Sequence, residues 1–131
     1  MKKLILLLLF IPLVFSCSSD DDDTRDLQLT IVNNFELWEI TNISLQDYEF
    51  VNLSINGGSS RTFILNEGIP SGSSDIGVSI IYTCHNRSDG NASTRVDFSS
   101  GYTTIAINPT PDDSVDANLQ DCFNYEFIVS N

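Results

Sequence analysis

The chain has 131 residues, 41% of them hydrophobic, with eighteen acids against six Lys and Arg and a formal net charge of −12. That length holds one ordinary domain and not two. So acidic a surface repels phosphate backbones and anionic lipid headgroups, which excludes nucleic acid as a partner and excludes polybasic membrane contact.

Met1-Lys2-Lys3 is a cationic start, and Leu4 to Phe15 is an apolar run of twelve residues interrupted by Pro12. Crossing a bilayer takes roughly 20 apolar residues, so this run has the proportions of a secretory h-region. Residues 1–16 are therefore expected to be a signal peptide. At its end Val14-Phe15-Ser16-Cys17 resembles a bacterial lipobox, with an aliphatic residue at −3 and a small one at −1. The resemblance implies that Cys17 becomes the lipidated N-terminus. A thiol is the nucleophile a thioether link to diacylglycerol needs, and each buried CH₂ of acyl chain adds about 0.8 kcal/mol of membrane affinity. The plain alternative is a secreted protein in which Cys17 merely follows the apolar run.

Ser18, Ser19, Asp20, Asp21, Asp22 and Asp23 come next. Adjacent carboxylates repel one another and hold water, so residues 17–26 read as a flexible acidic tether. An acidic run directly after an acylated cysteine is similar to the export signal of surface lipoproteins in Bacteroidota. That likeness implies an outer-membrane lipoprotein displayed at the cell surface, with the periplasmic face as the alternative.

Removal of residues 1–16 takes both lysines and leaves 115 residues, with four arginines (Arg25, Arg61, Arg87, Arg95) against eighteen acids, a formal charge of −14. With Cys17 acylated, Cys84 and Cys122 remain as one pair. In an oxidising compartment a disulfide is the default expectation. Closing a loop of about 39 residues stabilises a fold by roughly 4 kcal/mol in the chain-entropy account.

From Leu27 onward the apolar period is two. Leu27, Leu29 and Ile31 alternate with polar residues, as do Trp38 and Ile40; Ile43 and Leu45 continue out of phase, which predicts a bulge near Thr41-Asn42. Val51, Leu53 and Ile55 predict a strand ending at the turn Asn56-Gly57-Gly58, and Phe63 with Leu65 predicts another before the loop of residues 66–75. Ile76, Val78, Ile80, Tyr82 and Cys84 make the cleanest alternation. Val96 and Phe98, leading through Ser99-Ser100-Gly101 into Tyr102 to Ile107, predict a hairpin, and Phe123, Tyr125, Phe127 and Val129 predict a last strand. No segment of helical length carries a 3.6-residue apolar stripe. Residues 27–131 are thus expected to form a single all-β domain, a β-sandwich of about seven or eight short antiparallel strands, immunoglobulin-like or transthyretin-like. A true immunoglobulin domain places its Trp between the two cysteines, whereas Trp38 precedes both.

The segment from Leu29 to Ile107 also resembles, loosely, a class of small bacterial lipoprotein domains. The shared outline is an opening strand ending in Asn33-Asn34, a long strand beginning Asp75-Ile76-Gly77-Val78, and a closing Gly101-Tyr102-Thr103-Thr104. It implies a sandwich and no particular activity.

Candidate chemistry is sparse. His85 is the single histidine and adjoins Cys84, but neighbouring strand residues point to opposite faces, so the two make a poor nucleophile and base. Asp112, Ser114, Asp116 and Asn118 have the first four ligand spacings of an EF-hand loop, yet Ala117 stands where Gly is needed and Phe123 where a bidentate Glu closes the shell, leaving a weak Ca²⁺ candidate. Asp113-Ser114-Val115 resembles the O-glycosylation acceptor of Bacteroidota, and Asn86-Arg87-Ser88 and Asn91-Ala92-Ser93 read as turn residues at a hairpin tip. Trp38, Tyr48 and Tyr102 are the candidates for a sugar-stacking surface. The expected function is a non-enzymatic, cofactor-free binding or adhesion module, held to the membrane by its lipid and contacting an extracellular glycan or protein. The alternative is a structural accessory subunit of an envelope assembly facing the periplasm.

Overall fold

The computed structural model describes residues 26–65, 69, 72–85, 89–111 and 122–131, and every regular element among them is a β-strand. In chain order these are β1 (Leu27–Asn33), β2 (Trp38–Leu45), β3 (Tyr48–Phe50), β4 (Ile55–Asn56), β5 (Ser59–Leu65), β6 (Ile76–Cys84), β7 (Asp89–Val96), β8 (Tyr102–Pro109) and β9 (Tyr125–Ser130). One sheet has the order β5-β1-β8-β9; the other has β3-β2-β6-β7, with β4 also on β2. The predicted β-sandwich is what forms.

The period-two pattern decides which side of each strand is buried. Leu27, Leu29 and Ile31 of β1, Ile105 and Ile107 of β8, and Ile76, Val78, Ile80 and Tyr82 of β6 all turn into one core between the sheets. The predicted bulge is present: the β2–β6 register shifts between Ile40 and Asn42, so that Ile40 and Ile43 both reach the core. Leu53 N–H donates to the carbonyl of Thr41, the residue the register skips, at 2.8 Å.

Three expectations are corrected. The pairing is antiparallel throughout except between β1 and β8, which run parallel with Gln28 opposite Tyr102 and Asn33 opposite Ile107. The predicted strand over Val51, Leu53 and Ile55 is interrupted: the chain leaves β3 after Phe50, Asn52 takes φ +55°, Val51 is 47% exposed, and only Ile55 and Asn56 rejoin β2. The predicted hairpin from Val96 to Tyr102 is instead a crossing between sheets. Phe98 is fully buried there, with its N–H on the Ser73 carbonyl and its own carbonyl taking the Gly72 N–H, so β8 is delivered to β1 rather than back onto β7.

In a constant-type immunoglobulin domain the first and second strands share a sheet. Here β1 and β2 lie in different sheets, so the strand order departs from that of a constant-type immunoglobulin domain. The predicted Cys84–Cys122 disulfide is formed, with a Cα–Cα distance of 6.1 Å. It ties the end of β6 in one sheet to the chain entering β9 in the other.

Candidate functional site

Registers across β5, β1, β8 and β9 define what their sheet shows to solvent. One row is Thr62, Thr30, Thr104 and Ser130; the next is Ser60, Val32, Ala106 and Ile128; on the other side lie Ile64, Gln28 and Tyr102. The apolar members are well exposed, Tyr102 at 54%, Ile128 at 51% and Ile64 at 45%. Thr30 and Thr62 share a hydroxyl hydrogen bond of 2.8 Å, and Asn34 Nδ2 donates to Asn108 Oδ1 at 2.7 Å, so the side chains are ordered by one another. Glu126 is the single charged side chain that these four strands turn outward.

The outer side of the other sheet differs. Its outward positions include Glu39, Glu49, Asp89 and Arg95, partly engaged: Glu39 accepts from Ser54 Oγ at 2.7 Å, Asp89 from Thr83 Oγ1 at 2.8 Å, and Arg95 pairs with Asp75 at 2.7 Å. An open depression of about 230 Å³ lies there, lined by Ser44, Leu45, Gln46, Gly77, Val78, Ser79 and Ser93. Its hydroxyls come from directly paired residues, Ser44 opposite Ser79 and Ser79 opposite Ser93. It contains no ionisable side chain, so it can hydrogen-bond but supplies no acid, base or activated nucleophile.

The three aromatic candidates do not converge. Trp38 is 1% exposed: it stacks on Tyr82 at 3.5 Å between ring centroids and 8° between planes, and its Nε1–H donates to the Cys122 carbonyl at 3.2 Å. It is a core residue, and the expectation that it stacks on a ligand is corrected, because alternation with Ile40 turns it inward. Tyr48 is half-buried against Phe50 in the sheet of β2. Tyr102 alone of the three stands on the outer face of β5-β1-β8-β9, where Glu126 is the one charge. His85 is exposed, with its N–H on the Leu37 carbonyl, and the sulfur of Cys84 is committed to Cys122.

No group of three or more His, Cys, Asp or Glu among the described residues could hold a metal ion. The weak Ca²⁺ candidates Asp112, Ser114, Asp116 and Asn118 lie outside the described residues, as do Cys17, Ser18, Ser19 and Asp20 to Asp23.

No single strand's pattern announces this sparsely charged face. The predicted last strand begins at Tyr125, so Phe123 precedes it and is 66% exposed, while Ile128, in the outward phase, is 51% exposed. The signal was in Phe127-Ile128-Val129, where both strand phases are apolar. One phase fills the core and the other must show. No family model matches this chain, and neither a curated protein nor a solved structure matches it.

Proposed function

We propose that the chain is a lipid-anchored, cell-surface lipoprotein whose sandwich acts as a binding module, docking an extracellular protein through the outer face of β5-β1-β8-β9. The observation that carries this reading is charge: with the signal removed the chain has a formal charge of −14, yet this face turns out one carboxylate, Glu126. Depletion of charge at the centre of a patch, with exposed aliphatic and Tyr side chains, is the compositional mark of a protein-binding surface. A protein is favoured over a glycan because sugar rings stack on aromatic faces, and Tyr102 is the one aromatic residue among the outward positions of these strands. Cys17 supplies the anchor and Asp20 to Asp23 the export address in this reading.

The same face also suits a structural accessory subunit in a periplasmic assembly, and the two readings differ in which side of the outer membrane the domain occupies. A photo-crosslinking amino acid at Thr104, with the same group at Ser79 on the opposite sheet as control, tests the docking face on cells expressing the full chain. The expected result is a discrete protein adduct from position 104 and none from 79. Equal labelling at both positions, or none at 104, contradicts the assignment.

A further inference from the structure

Among the described residues the two sheets have four outer edges, which differ in length, charge and side chains. Edge strand β3 has three residues and includes Glu49; β5 carries Arg61, whose guanidinium lies 5.4 Å from the Phe63 ring centre; β7 contains Asp89, Gly90 and Arg95. Short length and charge are among the devices that keep an edge from pairing with another chain. Like β5, β9 (Tyr-Glu-Phe-Ile-Val-Ser) has one charge and neither Gly nor Pro, but where β5 opens with Ser-Ser-Arg-Thr, β9 is built on Tyr125, Phe127, Ile128 and Val129.

Which of its backbone groups are open follows from the ladder. Asn124 faces Thr110 by extension of the β8–β9 register, and Thr110 N–H donates to the Asn124 carbonyl at 2.9 Å. In an antiparallel pair the hydrogen-bonded positions recur every second residue, so Glu126, Ile128 and Ser130 bond to β8. The same parity is reached from the far side of β8, where Gly101 and Ile107 give their carbonyls to Gln28 and Asn34. The N–H and C=O groups of Tyr125, Phe127 and Val129 therefore point away from β8, and among the described residues no strand pairs with them.

We infer that β9 is a homodimerisation edge, pairing antiparallel with β9 of a second copy. Only a register that sets odd-numbered residues opposite odd-numbered ones satisfies the open groups. The one centred on Phe127 uses all of them, with Tyr125 opposite Val129 of the other copy. It also sets Glu126 opposite Ile128, so no carboxylate meets its equivalent. That matters for a chain with a formal charge of −14, because a partner copy is repelled wherever acids face acids. The two sparsely charged outer faces become one continuous sheet surface. The inference concerns the folded domain in solution and does not depend on the anchor or on the partner proposed above.

The test is sedimentation velocity of residues 17–131 with Cys17→Ser, over a wide concentration range, beside Val129→Pro and Val129→Lys. Proline at 129 removes an N–H that β8 does not use, so the β8–β9 ladder survives while the dimer loses the two symmetry-related bonds made by that N–H. The expected result is a concentration-dependent monomer–dimer equilibrium weakened roughly tenfold or more by either variant. Melting temperatures close to the parent identify the loss as one of association. A parent that stays monomeric at the highest concentration, or a dimer indifferent to both variants, overturns the inference.

Discussion

Asn33 spans the sandwich to reach Trp38. Its Nδ2 donates to the Trp38 carbonyl at 2.8 Å and to the Ile55 carbonyl at 3.0 Å, while its Oδ1 accepts from Phe35 N–H at 3.1 Å. The side chain is fully buried, and it closes the end of β1 in one sheet onto β2 and β4 of the other. Asn33→Ala leaves two carbonyls and an amide buried without that partner, a loss of about 2–4 kcal/mol, read as a lower midpoint in denaturant. Asn33→Asp is the harsher change, since it turns a carboxylate oxygen toward the carbonyls the amide now serves. An unchanged midpoint for Asn33→Ala contradicts this role.

Gly90 lies against the ring of Tyr82, and a Cβ there would overlap the ring carbons and the hydroxyl. Tyr82 is in turn stacked on Trp38. Gly90→Ala is expected to push Tyr82 off that stack and to cost about 1–3 kcal/mol by overpacking. Near-ultraviolet circular dichroism, which reports the coupled rings, should lose intensity; a variant with the parent spectrum and stability means the ring moves aside freely.

The Cys84–Cys122 bond joins the sheets across a sequence separation of 38. Ellman titration of the denatured, unreduced domain carrying Cys17→Ser is expected to find no free thiol. Replacing both cysteines by Ala is expected to remove about 2–4 kcal/mol of stability. Two titratable thiols in the unreduced protein contradict the link.

Most of the architecture is legible in the sequence because each sheet buries one face. Alternation in Ile76 to Cys84 leaves no other choice of inward side, and the phase change after Ile40 announces a bulge. Where local pattern failed, a tertiary contact decided. Val51 and Leu53 carry the right period, yet Asn52 takes a left-handed conformation and Leu53 caps the bulge at Thr41. The turn residues Ser99-Ser100-Gly101 look like a hairpin, but burial of Phe98 sends the chain across to the other sheet. The sparsely charged face was illegible for a different reason: its rows are made of residues from four strands, and no local window contains Thr62, Thr30, Thr104 and Ser130 together.

Anchoring by Cys17 predicts a simple fractionation result. The wild-type chain should sediment with membranes and partition into detergent, while Cys17→Ser should be recovered in the soluble fraction with its fold intact. Membrane association of Cys17→Ser at wild-type level contradicts a lipid anchor.

Display at the cell surface is the claim on which the extracellular partner rests, and antibody staining of intact, unpermeabilised cells against a C-terminal epitope tag tests it most directly. Amine-reactive labels are unsuitable, since the only lysines, Lys2 and Lys3, fall within the proposed signal peptide. The predicted result is staining of the wild type that is lost when Asp20 to Asp23 are changed to Ala, with the tag recovered in both strains after permeabilisation. Absence of staining in the wild type, with the tag accessible only after permeabilisation, contradicts surface display and places the domain in the periplasm.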